Sequence, residues 1–419
     1  MMRRLLPFLL VLASCGAPDD LVYSPPPDSE GGWRRPADAA ESLRVDGVDQ
    51  AALDKAYDYI QTTTKNGGLL VVRRGRLVYE RYFGLAHRDA NPNHASVGKS
   101  FTSIAVGILL DERPDLFPDG LDQKIFTTTY FPPEIFPLRD PRMGDIQLGQ
   151  LLSMSAGIRG NNPGIVGGKE VLLEPAGPDG WQGMYDPIVI GAEDGEVGGE
   201  LTTTKTLWVE PGGGYSYATA SAHLASILLR HVAGMELEEY VRRKLAEPMG
   251  WGRWGWGYKN QITGHTPGGG GIAVRPTDML RFAYLLLREG RWGGRQLVPA
   301  DYIRRASNPS PYNPHFDYSL QFNVNRNGHW DDIPRDAFWK TGSGGFCIYI
   351  VPSLDLVVFK MGGRDNQYDP ENTGLEPAPG FTYDGSRDGW KPSGDSDANS
   401  YHRTLQLVVA SLTGLQEGD

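Results

Sequence analysis

The sequence predicts an α/β (α+β) fold: an antiparallel sheet built from segments near both ends of the chain, flanked by helices, with a mainly helical subdomain inserted between them. Three observations carry this reading. Apolar, β-branched runs lie near the two ends, LLVVRRGRLVYERYFG from Leu69 to Gly84 and FCIYIVPSLDLVVFKMGG from Phe346 to Gly363. Between them, apolar residues recur at helical spacing in three stretches. Long Gly- and Pro-rich sections separate these elements. The 419 residues, 40% hydrophobic and 22% charged, are enough for a large core. The net charge is −10, and there is no basic run and no Arg/Lys stripe with interleaved aromatics, so nucleic acid is excluded as a partner.

The elements follow in order. MMRRLLPFLLVLASCG opens the chain. Arg3 and Arg4 form a charged region, and the apolar run Leu5 to Leu12 is too short to span a bilayer, so residues 1–14 read as a signal peptide. Leu12-Ala13-Ser14-Cys15 resembles the lipobox of bacterial lipoproteins, which implies lipidation of Cys15 and a membrane anchor through it. Gly16 after the cysteine, rather than aspartate, implies outer-membrane retention, with the body on the periplasmic side. Residues 15–45, rich in Pro, Asp and Ser, read as a lipidated tether that cannot build a core. The folded body is placed at 46–415.

Asp49 caps a predicted helix with Leu53, Ala56, Tyr57 and Ile60 on one face. Two strands follow around a tight turn at Arg74-Gly75. In NHASVGKSFTSIAVGILLDE, from Asn93 to Glu112, the residues Val97, Phe101, Ile104, Ala105 and Ile108 line one face of a helix. From Arg159 to Glu200 no periodicity is visible, and the section reads as a large loop or lid. A second helix is expected from about Ala218 to Val232, with Leu224, Ile227, Leu228 and His231 on one stripe. A third begins at Thr277, carries Met279, Phe282, Ala283 and Leu286, and stops at Gly290. The C-terminal run reads as a hairpin turning at Pro352 to Asp355. Residues 364–398 are a second loop region, and Thr404 to Leu412 form a terminal helix. Cys347, within an apolar strand, reads as a buried small hydrophobe. With Cys15 lipidated there is no disulfide framework.

Three stretches carry chemistry. Ser96 and Lys99 stand one helical turn apart at a helix start, so both face the same way, with the serine at the positive end of the helix dipole. A serine hydroxyl needs a neighbouring base, and a lysine serves as one when burial or a nearby cation lowers its pKa from about 10.4. In PGGGYSYATASAH, Tyr217 precedes a helix, where a tyrosinate or a Lys–Tyr pair would shuttle a proton to the leaving group. In WKTGSGGFCIYIV, Lys340 brings a positive charge and Thr341 a hydroxyl. Gly342 lets substrate lie against the strand edge. The Ser343 backbone N–H joins that of Ser96 as an oxyanion hole.

In this order the three stretches resemble the serine β-lactamase and penicillin-binding-protein superfamily, whose signatures include S-x-x-K and K-T-G. LLSMSAGI (151–158), PGGGYSYAT (211–219) and GGGGIAVRPTDMLRFAYLLLREGRWGGRQLV (268–298) resemble further segments of its class C relatives, and the resemblance spans about residues 50 to 412. It implies a β-lactamase-like fold and a hydrolase acting on an ester or amide, with no cofactor. Ser96 is implied as the acylated nucleophile, Lys99 as its base and Tyr217 as the proton relay. Lys340, Thr341 and Gly342 are implied as the motif that orients a substrate carboxylate, and Ser343 as an oxyanion donor. Thr219 stands where the family's second motif usually ends in asparagine. Its single hydroxyl, still able to bond the lysine, cannot span two partners as an amide does, which counts against β-lactam turnover more than against acyl transfer.

Rival chemistries lack their signatures. No serine lies in G-x-S-x-G; Gly214-Tyr215-Ser216-Tyr217-Ala218 fails at its last position. There is no H-E-x-x-H or Cys/His cluster, and His94 and His265 are placed near the cleft without a ligand role. The alternative function is an envelope-anchored protein with weak or lost chemistry that binds peptidoglycan or a partner, with GWGRWGWGY (250–258) as an aromatic surface. Several of those tryptophans also fit a packing role.

Overall fold

In the computed structural model the two terminal apolar runs pair with each other. The structure describes residues 23–138, 140–160, 163–173, 207–257, 265–393 and 397–413. The signal peptide and Cys15 therefore lie outside the described residues, as does 174–206 of the Gly-rich section.

The first helix, α1, spans Gln50–Thr63, and the Asp49 carboxylate accepts from the amides of Ala51 and Ala52 as its cap. Strands β1 (Gly67–Arg73) and β2 (Arg76–Phe83) flank a turn in which Arg74 and Gly75 both take positive φ. Helices α2 (Gly98–Glu112), α3 (Thr219–Ala233) and α4 (Pro276–Leu287) follow. The C-terminal half supplies β3 (Tyr318–Ser319), β4 (Phe322–Val324), β5 (Phe338–Gly342), β6 (Phe346–Val351) and β7 (Leu356–Met361), then helix α5 (Asp397–Val409). These strands form one seven-stranded antiparallel sheet in the order β2-β1-β7-β6-β5-β4-β3, so β1 pairs directly with β7 across the length of the chain.

Both faces of the sheet are covered, which is why its central strands read as unbroken apolar runs. Leu70, Val72, Phe346, Ile348, Ile350, Val357 and Phe359 join one core cluster with α2, α3 and α4. The alternate residues Leu69, Val71, Cys347, Tyr349, Val351, Leu356 and Val358 join a second with α1 and α5. Cys347 is fully buried here, as its setting predicted.

Residues 24–45, read from the sequence as part of a tether, pack against the body. From Ser24 onward the chain is strapped to the body. Trp33 is 4% exposed, donates from Nε1 to the Thr277 carbonyl and meets Tyr284 edge-on at 5.4 Å. Asp28 pairs with the buried Arg281 at 2.7 Å and with Arg88 at 3.3 Å. A Pro- and Asp-rich composition hides these two anchors because their partners lie far along the chain. The loop section holds a small ribbon, Gly164–Val166 with Lys169–Val171, whose Ile165 exchanges backbone bonds with Tyr215.

Candidate active site

Ser96 sits on a 3₁₀ turn, Ala95–Val97, that runs directly into α2. Ala95 just before it takes φ +48°, a left-handed conformation unusual for a residue with a Cβ, and its amide is held by Asn93 Oδ1 at 2.9 Å. This strained entry sets Ser96 where α2 begins. Lys99, one turn on, is fully buried. Its Nζ donates to Ser96 Oγ at 2.9 Å and to the Gly269 carbonyl at 2.5 Å. Burial lowers the Lys99 pKa to about 7.

Tyr217 approaches from the segment before α3. Its hydroxyl faces Ser96 and accepts from Lys340 Nζ at 3.2 Å. Burial raises it to about 12, with Ser96 pulling the other way, so the phenol is protonated at neutral pH and the tyrosinate alternative is set aside. Lys340, on β5, also donates to the Tyr318 hydroxyl at 2.7 Å, which in turn donates to Gln321 Oε1 at 3.1 Å. Burial first, and then the nearby Lys99 amine, push Lys340 well below its ordinary value. Two amines share this site, and among the described residues neither pairs with a carboxylate.

The third motif closes the site. A Cβ at Gly342 would fall 2.2 Å from the His94 carbonyl, so β5 lies directly against the segment that carries Ser96. Gln367 Nε2 ties the two together by donating to the carbonyls of Asn93 and Ser343, each at 3.0 Å. Ser343 is exposed just beyond the strand, and Thr341 is partly exposed on it.

Thr219 does not hold Lys99. Its Oγ1 is buried without a hydrogen-bond partner, and its methyl packs on Gly269, where a Cβ would lie 2.3 Å away. The backbone carbonyl of Gly269 does the holding. Sequence reasoning missed Gly269 because a carbonyl leaves no mark in residue identity. It missed Tyr318 and Gln367 because each looks like ordinary polar filling.

His94 and His265 do not line the cleft. His94 is fully buried against Phe346 and Phe359, with Nδ1 3.2 Å from the Ile272 carbonyl, and burial pushes its pKa down to about 3. His265 is buried beside Glu236. His231, on the second helical stripe, is exposed near the Thr128 carbonyl. Among the described residues no cluster of His, Cys, Asp and Glu could hold a metal ion.

The family model described as Beta-lactamase matches residues 53–375. The chain belongs to the beta-lactamase family. Among curated proteins none matches the chain. Solved structures share the fold of this beta-lactamase family member. EstCE1, described as a hydrolase with promiscuous acyltransferase activity, is 16% identical with a TM-score of 0.56, covering 76% of this chain and 94% of its own. A penicillin-binding protein homolog from Caulobacter crescentus is 15% identical with a TM-score of 0.56, covering 77% and 94%. The octameric penicillin-binding protein homologue from Pyrococcus abyssi is 16% identical with a TM-score of 0.54, covering 86% and 76%.

Proposed function

We propose that this beta-lactamase family member is a serine hydrolase that forms an acyl-enzyme at Ser96 on an ester or amide substrate. The observation that carries the reading is the buried Lys99 amine, 2.9 Å from Ser96 Oγ, lowered to about 7 and unpaired with any carboxylate among the described residues. At neutral pH much of it is the free base. The Ser96 hydroxyl then gives its proton to Nζ as Oγ attacks the substrate carbonyl. The backbone N–H groups of Ser96 and Ser343 receive the oxyanion. The protonated Tyr217, facing Ser96 and bonded with Lys340, gives its proton to the departing alcohol or amine and is reprotonated from Lys99. In the second half-reaction water is deprotonated by the same relay and releases the acid. Lys340 and Thr341 line the wall where a substrate carboxylate would bind.

The substrate class is part of the proposal. Asparagine's double contact is absent at Thr219, whose hydroxyl has no hydrogen-bond partner, so we favour esters or amides over β-lactams. An esterase and a D-amino-acid peptidase both fit this reading. We also propose that the protein is exported and lipid-anchored at Cys15, on the periplasmic side of the outer membrane. Among the described residues no helix is long and apolar enough to cross a membrane.

The alternative of a non-catalytic binding protein leans on the Trp-rich segment. Trp256 is 1% exposed and donates to the carbonyls of Pro267 and Gly270, and Trp251 packs on Phe101. These rings are internal staples, which weakens that reading. A substrate panel decides: p-nitrophenyl esters, nitrocefin and a D-Ala-D-Ala peptide, each with wild type and Ser96→Ala. Ester or peptide turnover lost in Ser96→Ala supports the hydrolase. No turnover of any of them favours the binding protein.

A further inference from the structure

The Lys99 amine is aimed by a backbone carbonyl, which raises the question of what aims the carbonyl. Residues 267–271 form a strap threaded between α2 and α3. A Cβ at Gly268 would fall 2.3 Å from the Ala222 carbonyl, one at Gly269 2.3 Å from the Thr219 methyl, and one at Gly270 2.8 Å from the Ala95 carbonyl. Its carbonyls are used individually. Pro267 and Gly270 accept from Trp256 Nε1, Gly268 accepts from Thr102 Oγ1 at 2.7 Å, and Gly269 accepts from Lys99.

The strap enters from a buried polar chain outside the catalytic constellation. Glu236 Oε2, at the start of a short helix, Leu237–Val241, lies 2.9 Å from His265 Nδ1 and accepts from the Thr266 amide at 2.9 Å. His265, 2% exposed, places Nε2 3.4 Å from Ser226 Oγ. That hydroxyl accepts from the Gly268 amide at 3.0 Å and donates to the His223 carbonyl at 2.7 Å. The chain of contacts thus runs from Glu236 through His265 and Ser226 to the peptide next to Gly269. An ionisable pair and a serine of α3 set behind a glycine strap, with His265 and Ser226 buried and Glu236 partly exposed, are more than packing requires. Buried polar groups of this kind fix one arrangement when all their bonds are made.

We propose that Glu236, His265 and Ser226 are positioning residues for catalysis: they lock the 267–271 strap so that the Gly269 carbonyl holds the Lys99 amine toward Ser96. With one N–H on that carbonyl, the lone pair of the neutral amine is left for the Ser96 proton. The inference rests on the reading of Ser96 and Lys99 as nucleophile and base. It carries a signature. A carbonyl acceptor favours the ammonium form, so loosening the strap lowers the proton affinity of Lys99. The other groups facing Lys99 are Ser96, Tyr217 and Lys340. Those facing the Glu236–His265 pair are His223, whose ring is 4.9 Å from that of His265, and Arg230, 3.4 Å from Glu236. None of these is altered by the test.

The test is the rate of fluorophosphonate labelling of Ser96 from pH 5 to 9, with thermal melting alongside, for wild type, His265→Leu, His265→Asn and Glu236→Gln. His265→Leu is expected to slow labelling about 10- to 100-fold and to move the acid limb to lower pH. His265→Asn, which keeps a donor toward Glu236, is expected to recover most of the rate. Glu236→Gln, at a partly exposed position, shows the same shift in milder form and decides the matter if His265→Leu does not fold. Folded variants that melt earlier but label at the wild-type rate with an unmoved acid limb overturn the positioning role. A wild type that never labels overturns the Ser96 reading itself, and this inference with it.

Discussion

Replacing Lys99 by methionine removes the base and also changes stability in a pH-dependent way. In the folded protein the amine has a pKa of about 7, against 10.5 when solvated. The unfolded chain therefore binds more protons between those values, and the wild type loses stability as pH falls from 10.5 to 7. The shift corresponds to about 5 kcal/mol at its full extent, reached below pH 7. Lys99→Met abolishes that cost. It also leaves the Gly269 carbonyl without its donor, which costs about 1–3 kcal/mol at any pH. At pH 6 the variant should thus be more stable than wild type by about 2–4 kcal/mol. Near pH 10 the order should reverse, since little of the lysine penalty is left. Urea denaturation of both proteins at pH 6, 8 and 10 measures this, with loss of Ser96 labelling as the functional counterpart. A difference that does not change with pH, or a variant less stable at pH 6, would refute the picture of a desolvated amine.

Other consequences are local. Tyr217→Phe removes the hydroxyl that faces Ser96 and accepts from Lys340 and should slow ester acylation by about 10²- to 10⁴-fold with the fold intact; stopped-flow acylation near the wild-type rate would remove Tyr217 from the relay. Gly342→Ala places a methyl 2.2 Å from the His94 carbonyl, forces β5 off the Ser96 segment and should lose most activity at a stability cost of about 1–3 kcal/mol. Asp28→Ala deprives the buried Arg281 of one of its two carboxylates and should cost about 1–3 kcal/mol in urea denaturation. No change there would mean that residues 24–38 are a loose tether after all.

The parts of this molecule written in side-chain pattern were legible in the sequence. The central strands sit between two helical layers, so both of their faces are apolar and they stand out as runs. α1, α3 and α4 announced themselves through their period, and α1 also through its Asp49 cap. Ser96 and Lys99 were readable because a helix start converts a three-residue spacing into a shared face. The features that escaped depend on backbone or on distant partners. The Gly269 carbonyl holds the lysine, yet the sequence shows only a run of glycines. Gln367 bridges Asn93 and Ser343 from a loop with no pattern. Trp33 and Asp28 reach across to α4, so a segment with the composition of a linker is part of the fold. Thr219 was read as still able to bond the lysine, whereas its hydroxyl has no partner and its packing on Gly269 follows only from the close approach of α3 to the strap.

The central claim is that Ser96 is a nucleophile activated by a neutral Lys99. Intact-mass and peptide mapping after fluorophosphonate treatment, with the labelling rate followed across pH, tests it most directly. The account predicts a single adduct on Ser96, absent in Ser96→Ala, whose rate of formation rises with pH through about 7 as Lys99 loses its proton. An adduct on another residue, no adduct, or a Ser96 rate indifferent to pH across that range would contradict it.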